Sequence, residues 1–214
     1  MKLTVLGATG GTGREVVRQA LARGHEVAAV VRDPARLPDD LRAAVTVVVA
    51  EATDPQSLAP AVIGSEAVVS VVAPRDQKRP TTVCADAARA AAAAVREAEG
   101  GARLVVASNS AHSPGPGDDP FTRYFVKPVI LARVLRHANA DARRAEELAR
   151  ASGLPWTIAR AGMLTDRPGK GRYRSALDRN VPGGFQVTRA DFAKALLDAA
   201  EDPAAAGRVV SIAN

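Results

Sequence analysis

Cysteine and histidine are nearly missing: the 214 residues hold one cysteine, Cys84, and three histidines, His25, His112 and His137. One thiol cannot close an intrachain disulfide, and neither residue recurs at the spacing of metal ligands. A disulfide scaffold is therefore excluded and no metal is expected. Aromatic residues make up only 3%, which leaves little for stacking on bases. With no helix-turn-helix or RNP pattern either, no nucleic-acid partner is expected. Long apolar runs are absent too. Ala85–Val95 is broken by Asp86 and Arg89, well short of the roughly 20 apolar residues of a membrane span. The N-terminal run stops at Gly7, before it could form a signal core. A soluble, cytoplasmic chain without a membrane partner is the expectation.

In their place stand small and branched aliphatics and arginine. Hydrophobic residues reach 47%, 45 residues are alanine, and Lys+Arg 29 against Asp+Glu 23 gives a net +6. The length suffices to bury a sizeable core. Short, mostly Val-rich runs at Lys2–Leu6, Glu26–Val31, Val45–Ala50, Ala67–Val72, Arg103–Ala107 and Trp156–Ala159 suit strands covered on both faces. Helix-like segments at Gly13–Arg23, Pro55–Ile63, Thr82–Glu99 and Ala138–Ser152 alternate with them. Asp54-Pro55 reads as a helix opening, Gly24, Gly100 and Gly153 as helix closures, and Thr188 with Asp191 as an acidic capping box for Arg189–Glu201.

This rhythm predicts an α/β fold with a doubly wound parallel sheet, in one domain over residues 1–214. Two stretches interrupt it. Ser113–Pro120 reads as a loop, and Leu164–Gly184 is too long for a simple connector. Residues from about 160 to 187 are therefore expected to form a small acceptor-side lid. The charge excess is local as well: residues 123–189 carry 14 cations and 5 anions, whereas residues 1–122 carry 13 and 14. Either a general arginine bias produces it, or it marks the side that meets an acidic or phosphorylated small molecule.

The strongest motif is Gly7-Ala8-Thr9-Gly10-Gly11-Thr12-Gly13, directly after the first strand and opening the first helix. Glycines at 7, 10 and 13 permit a tight turn, a close backbone approach to a pyrophosphate, and close helix–strand packing. Thr9, Gly11 and Thr12 belong to the same phosphate-binding turn. At the end of the second strand, an acidic residue would accept from the ribose 2′-hydroxyl of NAD, whereas an arginine accommodates a 2′-phosphate. Arg32 occupies that position and Arg36 is a second cation within reach, while Asp33 is spent as the cap before Pro34. NADPH is therefore expected as cofactor. Glu51, after the third strand, is placed to accept from the adenine amino group. Ala73 and Arg75, after the fourth, lie on the path of the nicotinamide ribose, with a solvated loop arginine as the other reading of Arg75.

Gly7–Gly13, Val31-Arg32-Asp33, Pro80-Thr81-Thr82-Val83, Val105–Ala111 and Ser152–Thr165 together resemble the atypical short-chain dehydrogenase/reductase group. Within it the chain is most like the NADPH-dependent flavin reductase/biliverdin-IXβ reductase type, with NmrA-like proteins a step further off. The resemblance covers nearly the whole chain. It implies a Rossmann fold and hydride transfer from NADPH to a flat conjugated acceptor such as a flavin, a quinone or a linear tetrapyrrole. It also implies a serine beside the nicotinamide after the fifth strand. In Ser108-Asn109-Ser110-Ala111, Ser110 matches that serine best, Asn109 is a second donor, and Ser108 falls on the cofactor side. Two segments depart from the pattern. His112-Ser113-Pro114-Gly115-Pro116 replaces an aromatic-rich stretch, and Arg160-Ala161-Gly162-Met163 stands where the reductase type carries a histidine, so the acceptor is not inherited.

Most short-chain dehydrogenases pair a Tyr with a Lys four residues later on one helix face. Tyr124 and Tyr173 are followed at that distance by Pro128 and Leu177. Tyr124 with Lys127 is one residue short, and Pro128 disfavours helix at Lys127. Hydride transfer to an electron-poor ring makes smaller demands, because the cofactor carries the chemistry. Tyr173 in Lys170-Gly171-Arg172-Tyr173-Arg174 is expected to stack on the acceptor while Arg172 and Arg174 meet its anionic groups. Asn109 and Ser110 have a second reading as a turn that satisfies local backbone. His112 is read as a solvated loop residue, and Met163 as pocket wall or core. The alternative functions are a non-catalytic NADP(H)-binding sensor of the NmrA-like kind and, further back, an epimerase or dehydratase. A monomer or homodimer is expected.

Overall fold

The computed structural model describes all 214 residues. In chain order the elements are β1 (Lys2–Leu6), α1 (Gly11–Ala22), β2 (Glu26–Val31), a 3₁₀ turn (Pro34–Arg36), α2 (Asp39–Ala44), β3 (Thr46–Val49), α3 (Pro55–Val62) and β4 (Ala67–Ser70). Then come α4 (Val83–Glu97), β5 (Arg103–Asn109), a π-helix (Thr122–Leu131), α5 (Ala132–Val134) and α6 (Arg136–Arg150). The chain closes with β6 (Trp156–Ala161), β7 (Met163–Thr165), β8 (Arg174–Leu177), β9 (Gln186–Thr188), α7 (Arg189–Glu201), a second 3₁₀ turn (Pro203–Ala205) and β10 (Arg208–Ala213). The main sheet runs β3-β2-β1-β4-β5-β6-β10-β8, parallel except for β8, which pairs antiparallel to β10. The strand order reverses between β1 and β4, where a crevice opens at the carboxyl ends of the strands.

Alternation along the strands sends side chains to two cores. Leu3 and Val5 of β1, Val105 of β5 and Ala159 of β6 meet α1 and α7 on one face. Leu6, Val68, Leu104 and Val106 meet α3 and α4 on the other. Phe192 of α7 is the largest fully buried side chain, and its truncation to alanine would cost about 3–5 kcal/mol. Alanine sets the helix spacing: Ala87, Ala88, Ala90, Ala91 and Ala94 of α4 are all fully buried, so α4 can lie close against the sheet and α6. Asp141 of α6 ties the two helices, its carboxylate accepting from the Cys84 and Ala85 amides at 3.0 and 2.9 Å. It supplies the cap that Thr82 does not.

Aspartate–proline pairs punctuate the chain. Asp33, Asp54 and Asp202 each accept from a backbone amide two residues on, and each precedes a proline that opens a helix or 3₁₀ turn. Asp119-Pro120 is a fourth, with Asp119 accepting from the Thr122 amide, and it opens a helical segment that hydrophobic periodicity had not revealed. Pro128 lies inside it, so Lys127 is helical although the proline after it disfavours helix there. The i→i+5 winding of a π-helix widens the turn that a proline ring would crowd in an α-helix. The helix closure expected at Gly100 also shifts: the left-handed residue after α4 is Glu99, at φ 50°.

The stretch expected to form a lid contains three short strands. Its central portion forms β8 at the sheet edge, and its flanks β7 and β9 pair with each other as a two-stranded ribbon.

Candidate active site

The turn after β1 is shaped by its glycines. Gly7 has φ +84°, and a Cβ there would press on the Val71 carbonyl after β4 at 3.2 Å. At Gly13 a Cβ would lie 2.1 Å from the Gly7 carbonyl oxygen, so α1 can approach β1 only without a side chain. A Cβ on Gly10 would meet nothing closer than 3.4 Å, leaving open space over the helix entrance. No side chain caps α1 and no carboxylate stands in its first turn. The first amides of a helix have no intrahelical acceptor, and they carry the positive end of its dipole. This geometry fits a pyrophosphate.

The crevice is one cavity of about 1000 Å³, at the upper end of the roughly 300–1,000 Å³ of small-molecule sites. Gly7, Thr9, Gly10, Gly11, Thr12 and Gly13 line it, as do Arg32, Arg36, Glu51, Ala73 and Arg75. Arg32, Arg36 and Arg75 are exposed and lack any carboxylate partner. Arg189, which no local motif marks, lays its stem across Gly11 and pairs with Asp166 at 2.8 Å.

Ser108, Asn109 and Ser110 also line the cavity, but their side chains are used differently. The Asn109 Oδ1 accepts from the Ala111 amide at 3.0 Å, which leaves its NH₂ free. Ser108 donates to Glu146 at 2.8 Å, whereas the Ser110 hydroxyl has no partner within the chain. Glu146 of α6 is 1% exposed and accepts from Ser108, His112, Arg150 and Arg160. Burial pushes its carboxyl up, but the Arg160 and His112 donors overcome that and hold it well below the usual carboxylate range. His112 is thus no solvated loop residue: its side chain is 3% exposed, drawn in by Glu146. Arg160 sits in register with Ser108 and, on its other side, with Ser211 of β10. The Ser211 hydroxyl is buried without a partner at the cavity wall.

Tyr173 is not brought to this site. Its hydroxyl donates to Asp198 of α7 at 2.6 Å, and Lys194 stands 5.6 Å over its ring. The antiparallel turn of β8 presents this end of the segment to α7. Arg174 bonds the Pro182 and Asn214 carbonyls, so neither residue is placed to meet an acceptor. The flanks of the segment do line the cavity, through Met163, Asn180, Val181 and Phe185. From the other side comes Lys127 of the π-helix, with Asp118 beside it. Tyr124, three residues before Lys127, is 69% exposed, and no Tyr-Lys couple forms. No cluster of three or more His, Cys, Asp or Glu side chains is arranged to hold a metal, and no helix is long and apolar enough to cross a membrane.

A Rossmann-type sheet with a dinucleotide-binding turn at its switch point defines the class. Residues 7–203 match the NAD(P)H-binding family, and the chain belongs to it. It is 28% identical to the uncharacterised Bacillus subtilis (strain 168) protein YwnB over 208 residues, 95% of this chain and 93% of that one. Among solved structures, it superposes on a short-chain dehydrogenase/reductase of Veillonella parvula DSM 2008 in complex with NADP. There the TM-score is 0.79 at 18% identity, over 100% of this chain and 94% of that chain. ChuY, an anaerobilin reductase from Escherichia coli O157:H7, superposes with TM-score 0.73 at 22% identity, over 100% and 97%.

Proposed function

We propose that this protein is an NADPH-dependent reductase that delivers a hydride to a flat conjugated acceptor, a flavin, quinone or linear tetrapyrrole. The observation that carries this reading is the division of one cavity into two unlike ends. Arg32 and Arg36, free of carboxylates, lie where the second strand ends. The opposite end has apolar walls at Met163, Val181 and Phe185 and free donors on Ser110 and Asn109. In this reading Arg32 and Arg36 hold the 2′-phosphate, the amides that open α1 hold the pyrophosphate, and Glu51 accepts from adenine. NADPH, when bound, supplies the hydride. The chain orients the ring against the acceptor, and the Ser110 hydroxyl and Asn109 amide donate to the negative charge that develops there. The likeness to an anaerobilin reductase supports the tetrapyrrole arm, and residues 1–214 act as one unit, as monomer or homodimer.

The test is NADPH oxidation followed by absorbance with FMN, a quinone series and a linear tetrapyrrole. Turnover on one class names the acceptor, and no turnover on any overturns the reading. The absence of a Tyr-Lys couple favours a second reading, a non-catalytic NADP(H) sensor. Its signature is tight NADPH binding with no turnover and a protein partner recovered only with the nucleotide.

A further inference from the structure

Lys127 is an unexpected residue for its place. It belongs to the π-helix that roofs the acceptor end, between the apolar wall residues Val126 and Leu131. Its side chain is 6% exposed, yet it lines the cavity. Burying an ammonium costs several kcal/mol unless it is well held, and an aliphatic side chain would roof the cavity without that cost. The holding groups are all fixed. The Lys127 Nζ donates to both Asp118 oxygens at 2.8 Å and approaches the Ser113 carbonyl at 3.3 Å. Asp118 accepts also from the Gly115 amide at 3.0 Å and the Asn180 side chain at 2.8 Å. The loop carrying it is clamped: a Cβ on Gly117 would fall 1.8 Å from the Asn180 carbonyl oxygen. Across the cavity wall, Arg160 donates to the Ser113 hydroxyl at 2.7 Å, and the unpartnered Ser211 hydroxyl lies in register beside it. A π-helix is itself a rare winding, and π-turns are frequent at functional sites.

We propose that Lys127 is the acid of this site, giving a proton from Nζ to the acceptor heteroatom as the hydride arrives, with Asp118 as its positioning residue. The inference rests on the reductase reading. The balance is simple: the N–H that approaches the Ser113 carbonyl at 3.3 Å, the longest of the three contacts, turns to the acceptor and breaks, an O–H or N–H bond forms on the acceptor, and the acceptor gains the hydride and one proton. The neutral amine left behind is recharged by a proton from solvent. The charged and titratable groups facing Lys127 are Asp118 from its loop and Arg160 from β6, with Glu146 and His112 behind Arg160. Burial pushes the ammonium down, Asp118 draws it up, Arg160 pushes it down, and the outcome lies below the ordinary lysine value. Such a lysine gives up its proton more readily than an exposed one.

The experiment uses four proteins: wild type, Lys127→Met, Lys127→Arg and Asp118→Asn. Only the protonated amine serves, so wild-type kcat should fall as pH rises through the Lys127 pKa. Asp118→Asn removes the group that favours the charged form and should move that fall to lower pH. Lys127→Met and Lys127→Arg should each lose about 10²–10⁴-fold in kcat while NADPH affinity stays as in wild type. Arginine keeps the charge but does not release a proton, so rescue by Lys127→Arg would mean a merely structural ion pair and overturn the proposal. A readout independent of turnover comes from the five lysines of the chain. With ε-¹³C-lysine NMR, the resonance missing in Lys127→Arg should titrate below the other four, and lower again in Asp118→Asn. Titration with the other four would overturn the proposal. If the wild type reduces no acceptor, the reductase reading fails and takes the proposal with it. If the wild type turns over and Lys127→Met matches it, only the proposal fails.

Discussion

A Cβ on Gly13 would stand 2.1 Å from the carbonyl oxygen of Gly7, inside any permissible contact between backbone and side chain. The first helix and first strand are therefore locked together at the point where the phosphate turn closes. Gly13→Ala must push them apart, at a cost of about 1–3 kcal/mol, and should lower Tm and NADPH affinity together. Gly10→Ala separates the two effects. Its Cβ meets nothing closer than 3.4 Å, so Tm should hold while NADPH affinity, read by fluorescence titration, falls.

Cofactor choice should reside in Arg32 and Arg36. A charge-assisted hydrogen bond contributes about 1.5–3 kcal/mol, so Arg32→Ala should raise KM for NADPH by roughly 10- to 150-fold and leave KM for NADH nearly unchanged. Equal KM values for the two cofactors in the wild type would defeat the assignment.

Glu146 should govern acid stability. Its folded pKa lies below the ordinary value, so its contribution is fully present above about pH 4.3, the unfolded glutamate value. That contribution is lost as pH falls toward the depressed folded value. Glu146→Gln leaves Arg160 buried without its carboxylate and should cost about 3–5 kcal/mol. Urea melts between pH 7 and pH 3 should show the wild type losing stability on acidification and the variant losing less.

Tyr173→Phe should act on stability alone. Removing the hydroxyl forfeits its bond to the Asp198 carboxylate, about 1.5 kcal/mol, with no change in acceptor KM. Neutralising Arg172 and Arg174 should likewise leave acceptor KM unchanged. A rise in KM would mean that the β8 segment swings over the cavity.

These contrasts mark how far the sequence could be read. Gly7–Gly13 carries its meaning locally, because turn, helix start and close approach all lie within seven residues. Arg32 and Glu51 are fixed by strand ends, and the strand pattern was visible in the valines. Glu146 and Arg160 were not visible, being 14 residues apart on a helix and a strand that meet only in the folded sheet. Glu146 looks like any helix-surface glutamate in Arg143–Glu147. Tyr173 misled because an aromatic among arginines in a long insert suggests a lid, and nothing local announces that β8 pairs antiparallel and faces α7. Lys127 was set aside on α-helical grounds, which the π-helical winding around Pro128 escapes. The one local clue to that helix was Asp119-Pro120, the same opening that Asp54-Pro55 displays.

The pairing of cations along the cavity has a directional consequence. At the proposed acceptor end Lys127 and Arg160 are each paired with a carboxylate, while Arg32 and Arg36 at the other end are not. Cations without a salt-bridge partner thus stand at one end of the cavity, with Glu51 among them. In the proposed reading, a polyanionic dinucleotide drifting in would feel a torque before it touched anything, its phosphate-rich end drawn toward β2. The nicotinamide end would then enter the neutral part, and the two ends of the cofactor would be sorted by field before they are sorted by shape.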